Sequence, residues 1–96
     1  MNRSEIINKL RRYKEEHQEI YQFKRIGIFG SVARGTPGEQ SDLDVIVEQK
    51  TPDLFLLGSI KSDLEEELGI KVDIIRLRKE MNAFLKKRIE QEAIYV

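Results

Sequence analysis

The sequence predicts an α+β domain in which a small β-sheet is covered by helices. Three observations carry this. Short apolar runs of strand type, at 25–29, 43–47 and 71–77, alternate with longer segments of helical periodicity. Turn formers separate them: Gly30, Gly35, Pro37-Gly38, Pro52 and Gly69. No repeat, linker or low-complexity tract divides the 96 residues, so one domain spanning 1–96 with a modest core is expected.

Taken in order, residues 3–20 read as a helix with Ile6, Leu10 and Tyr13 on one face, and Asn2 with Glu5 has the form of a capping box. Residues 25–29 form a strand that runs straight into Gly30. Val32 to Arg34 begin a short helix with Gly30 and Ser31 at its N-terminal end, where unpaired N–H groups and a partial positive charge favour anions. Residues 36–40, with Pro37 and Gly38, read as a loop. The second strand is 43–47. Thr51 as cap and Pro52 at the first helical position start a helix that reaches Leu68, with Leu57, Ile60, Leu64 and Leu68 on one face and Gly69 as its stop. Residues 71–77 are the third strand. Residues 79–91 are the last helix, with Met81, Phe84, Leu85 and Ile89 facing inward. The apolar end at 93–96 is expected to pack on the domain or to meet another subunit. Strand order and direction do not follow from the sequence.

Lys+Arg and Asp+Glu number 17 each, a balance that argues against general nucleic-acid binding while leaving a local basic groove open. The absence of cysteine excludes disulfides, thiolate metal sites and a cysteine nucleophile. Apolar runs fall far short of the roughly 20 residues that span a bilayer. The N-terminus leads into an amphipathic pattern with no signal-peptide core, so a cytoplasmic protein with no membrane partner is expected.

The chemistry centres on carboxylates. Asp42 and Asp44 stand at i, i+2 at the start of a strand and therefore project from one face. Hard oxygen ligands of this kind suit Mg²⁺, and the turn Gly30-Ser31 just upstream can offer backbone N–H groups to phosphates. Asp73 interrupts an otherwise apolar strand, where an ionised carboxylate is costly unless it is paired or binds a metal. If the two strands are neighbours, three carboxylates converge on a metal-nucleotide site, with Asp73 also placed to take a proton from an attacking hydroxyl. Singly each signal is common: a Gly-Ser turn, a solvated Asp-x-Asp, an Asp73 paired with Lys71 or Arg76. Their order together points to a metal-nucleotide site suited to in-line phosphoryl displacement. His17 reads as solvated, Arg76, Arg78 and Lys79 as a solvated helix start, Lys86-Lys87-Arg88 as a polar helix face, and Tyr13, Tyr21 and Tyr95 as ordinary aromatics.

The pattern Gly30-Ser31-x-x-Arg34-Gly35, five residues, Ser41-Asp42-x-Asp44-x-x-Val47, then Asp73 on a later strand, resembles the minimal nucleotidyltransferase domains of the DNA polymerase β-like superfamily. The resemblance covers nearly the whole chain and implies the α+β nucleotidyltransferase core with a mixed sheet. It implies that Gly30 and Ser31 bind the phosphates of ATP, and that Arg34 contacts phosphate or a protein acceptor. Asp42, Asp44 and Asp73 would ligate Mg²⁺, with Asp73 also the base. Small stand-alone members resemble the antitoxin of a toxin–antitoxin pair whose partner is a HEPN-domain ribonuclease, silenced by transfer of AMP from ATP to a tyrosine. A homo- or hetero-oligomer is left open. Two alternatives stand beside this: an antitoxin that only covers its toxin, and a small-molecule nucleotidyltransferase. The chain has no room for the added domain with which larger members grip base or acceptor.

Overall fold

The computed structural model describes residues 2–35 and 42–96. Helix α1 (Arg3–Tyr21) leads into β1 (Phe23–Phe29), then α2 (Ser31–Arg34), β2 (Leu43–Gln49), α3 (Leu54–Leu68), β3 (Val72–Arg76), α4 (Ala83–Glu92) and β4 (Ile94–Tyr95). The strands form one mixed sheet in the order β3-β2-β1-β4. β1 is antiparallel to β2 and to β4, and β2 is parallel to β3.

Strand alternation sorts the apolar residues onto two faces. Ile26, Ile28, Val45, Val47 and Val72 pack against Ile6, Leu10 and Tyr13 of α1 and Ile60, Leu64 and Leu68 of α3. Phe29 and Ile46 face the other way, with Leu77 and Ile89 of α4. The first helix is capped as its sequence implies, Glu5 N–H donating to Asn2 Oδ1 at 2.9 Å. The stop at Gly69 is a left-handed residue with φ of 69°.

Four sequence expectations need correction. The cap of α3 is Asp53, not Thr51; Asp53 Oδ1 accepts from Phe55 N–H and Leu56 N–H, and Gln49 holds the Asp53 backbone through its own amide. The last helix starts at Ala83 with Asn82 as cap, and Phe84 is 74 % exposed rather than inward. Leu85 and Ile89, one turn apart, take the inner face, and a helix turns about 100° per residue, which carries Phe84 off it. His17 is not free in solvent: its ring lies 4.1 Å from that of Tyr13 and stacks on Tyr21 at 5.4 Å. The expectation that the apolar end packs on the domain holds: residues 94–95 do so as a strand, with Ile94 and Tyr95 opposite Ile28 and Gly27. Gly27 permits this approach, because a Cβ there would collide with the Ile94 carbonyl. The expected loop at 36–40, and Ser41, lie outside the described residues.

Tyr13 and Tyr21 of α1 both donate to Asp63 Oδ2 of α3, at 2.7 and 3.2 Å. Burial, then the bond to Asp63, pushes the Tyr13 phenol well above its ordinary range; burial and the Asp63 charge raise Tyr21 as well. Unfolded tyrosines titrate near 10. The contribution of this pair is therefore complete below about pH 10 and falls as pH rises beyond it, since the unfolded chain sheds those protons first. Denaturant unfolding between pH 8 and 11 should show a stability decline above about pH 10 that is shallower in Tyr13→Phe. An equally steep decline in the variant would contradict the assignment.

Candidate active site

Gly30, Ser31, Asp42, Asp44 and Asp73 come together at one end of the sheet. Asp44, second in β2, is the Cα partner of Phe29 on β1 and of Asp73 on β3. Neighbouring strands lie about 4.8 Å apart, and register partners share a face, so Asp44 and Asp73 stand side by side. Asp42 precedes β2 by one residue and shares the face by the two-residue period. Further along, the same face carries Ile46 and Ile75 beneath α4. The carboxylates thus occupy the end of the sheet that α4 leaves open.

Asp42 and Asp73 are exposed and Asp44 is half-buried. The expectation of a buried, costly Asp73 is corrected: β3 is an edge strand, only Val72 of its first residues is buried, and the carboxylate keeps its hydration.

β1 ends in a bend that seats the nucleotide-binding candidates. Gly30 has φ 81° and ψ −149°, a region open essentially to glycine alone. A Cβ built there would lie 2.5 Å from Asp44 Oδ2. The bend is therefore pressed against the carboxylate, and glycine is the residue that allows it. Ser31 opens α2 and is half-buried; Arg34 closes it, and Gly35 follows with φ 76°. Sequence reasoning missed Arg3, whose Nη1 donates to the Ala33 carbonyl at 2.9 Å and ties α2 to α1. Thirty residues separate the two, and no local pattern announces the contact. Arg76 sits at the opposite end of β3 from Val72, and Arg78 and Lys79 lie beyond it, exposed.

Among the described residues, no three His, Asp or Glu side chains are gathered closely enough to cage a metal ion by themselves. That is compatible with the donor set. Mg²⁺ is usually held by one or two carboxylates together with substrate phosphates, not by an all-protein cage. Asp42 and Asp44, solvent-accessible oxygen donors on one face, fit that role, with Asp73 adjacent.

A family model described as nucleotidyltransferase domain matches residues 10–96. A Methanocaldococcus jannaschii protein, provisionally named a protein adenylyltransferase (MJ0128), is 43% identical over 94 residues, covering 97% of this chain and 96% of its own. Protein adenylyltransferase MntA of Thermococcus cleftensis is 32% identical over 93 residues, covering 96% of this chain and 93% of its own. Among solved structures, a toxin–antitoxin with AMP-PNP aligns at a TM-score of 0.75 with 25% identity, over 92% of this chain and 69% of that one. By its matched length and its full-length relatives, the chain belongs to the nucleotidyltransferase domain family and is a nucleotidyltransferase.

Proposed function

We propose that residues 1–96 act as one minimal nucleotidyltransferase domain that transfers AMP from ATP to a hydroxyl of a protein, a tyrosine of a HEPN-domain toxin, and so serves as its antitoxin in the cytoplasm. The observation that carries the reading is the register of Asp44 beside Asp73, with Gly30 against Asp44. The names of the relatives, and the toxin–antitoxin with AMP-PNP among the fold's neighbours, support the choice of nucleotide and acceptor.

In this mechanism the backbone at Gly30 and Ser31, with Arg34, orients the triphosphate. Asp42 and Asp44, with Asp73, would hold Mg²⁺, and the ion would supply Lewis-acid stabilisation of the negative charge of the triphosphate. Asp73 accepts the proton of the acceptor hydroxyl as its oxygen attacks the α-phosphorus. The bond from that phosphorus to the bridging oxygen breaks, and pyrophosphate leaves with the bond's electron pair. Exposure of Asp73 leaves room for a macromolecular acceptor to reach it. Among the described residues no helix is long and apolar enough to cross a membrane.

Incubation with α-labelled ATP, Mg²⁺ and a cognate HEPN-domain toxin should place label on that protein, and chelation of the metal should abolish it. A folded sample that leaves the partner unlabelled would refute the reading.

A further inference from the structure

Among the described residues β3 is an open edge of the sheet, and it carries Asp73. Lys71 C=O accepts from Leu43 N–H and Leu77 N–H donates to Val47 C=O, so the odd-numbered residues of this strand turn their backbone groups toward β2. By alternation, those of Ile74 and Arg76 point along the open edge. Val72 N–H, at the start, is taken by Glu65 Oε2 at 3.0 Å. The accessible edge therefore runs from Ile74 to Arg76.

Beside it lies a groove of about 480 Å³ lined by Leu54, Leu57, Ile74, Ile75, Met81 and Leu85, with Arg76 and Arg78 at the same groove. Leu54, on its lining, is 68 % exposed. An edge strand with accessible backbone groups, apolar side pockets and a cationic end has the features of a strand-addition site.

We propose that the protein acceptor docks as an extended segment added antiparallel to β3, and that this edge aims its hydroxyl at Asp73. The proposal rests on the adenylyl-transfer reading above. The register follows from the edge. One peptide residue pairs with Ile74 and the residue two before it with Arg76, through main-chain bonds. The residue between them stands over Ile75 on the α4 side, toward Met81 and Leu85. The residue after the Ile74 partner stands opposite Asp73, on the face of the carboxylates. Directly opposed side chains in such a pair have Cβ atoms about 4.5–5.5 Å apart. The favoured order is therefore acidic (opposite Arg76), apolar, apolar, then the hydroxyl residue.

A second copy of this chain is the poorer occupant. Two-fold pairing with Ile74 against itself sets Val72 against Arg76, needs the Val72 N–H that Glu65 already holds, and supplies the cations with no carboxylate.

The test uses the peptide acetyl-Gly-Glu-Val-Ile-Tyr-Gly-amide and amide resonances of the full chain, without nucleotide. The Ile74 and Arg76 amides should shift on titration, and the peptide of reversed order should bind more weakly. Arg76→Glu should weaken binding at least about tenfold, with a lysine in place of the peptide's glutamate regaining it. The pairing with a charge-swapped peptide keeps the result independent of any loss of fold. Shifts elsewhere, no recovery by the lysine peptide, or a dimer whose Ile74 and Arg76 amides move on dilution would overturn the proposal. Binding at this edge with no transfer to any acceptor would strike the functional reading instead; transfer to a whole-protein acceptor that Arg76→Glu leaves unchanged would strike this one.

Discussion

Asp42→Asn combined with Asp44→Asn should reduce adenylyl transfer at least about a thousand-fold, about 4 kcal/mol of barrier. The amide keeps the shape of each side chain but removes the negative oxygen that a hard divalent cation requires. Asp42 is exposed and Asp44 half-buried, so neither substitution opens a cavity in the sheet. The fold should persist, with the melting temperature within about 5 °C of the parent. Transfer is read by labelled AMP on the acceptor and the fold by circular dichroism on the same samples. A folded variant that still transfers would remove both residues from the catalytic role.

Gly30→Ala should damage both stability and transfer, for two separable reasons. Its φ of 81° and ψ of −149° lie where a Cβ is strained, a cost of about 1–3 kcal/mol. The new methyl would also stand 2.5 Å from Asp44 Oδ2, closer than atoms tolerate, and the carboxylate is the movable partner. Displacing it by about 1 Å should cost on the order of a hundred-fold in turnover. Gly35→Ala separates the two effects. That glycine also has a positive φ of 76°, but among the described residues its Cβ would meet only Arg3 Nη1, at 3.5 Å. Gly35→Ala should lower the melting temperature and spare turnover of the folded enzyme. Equal losses of turnover in both variants would show that general strain, not contact with Asp44, is responsible.

How far the sequence led can be traced residue by residue. Asp42 and Asp44 were legible because a two-residue period fixes their shared face whatever the tertiary structure. That Asp73 lies beside Asp44 was not, because it depends on β2 and β3 being adjacent, parallel and in register. Long helices with strong periodicity, α1 and α3, were found, since Leu10 and Ile60 announce their buried faces. Their ends were less secure: Thr51 and Asp53 are both good caps, and only the backbone shows which carboxylate or hydroxyl meets the free N–H groups. β4 has two residues, too few for a period, and exists because Gly27 lets it approach. His17 reads as solvent-facing in a charged helix, yet Tyr13 and Tyr21 lie four residues to either side and both bring their rings against it. The Arg3 bond to Ala33 spans 30 residues and leaves no trace in local pattern.

The central claim is positional: a divalent cation carrying nucleotide sits where β2 and β3 begin. Titrating the protein with Mn²⁺ and a non-hydrolysable ATP analogue tests it directly, because the paramagnetic ion broadens amide signals near it. The signals of Asp44, Asp73 and Ser31 should vanish first, and those of Glu48, Lys50 and Asp53, at the far end of β2, should persist. Broadening centred on the far end of β2, with Asp44 and Asp73 still sharp, would contradict the account.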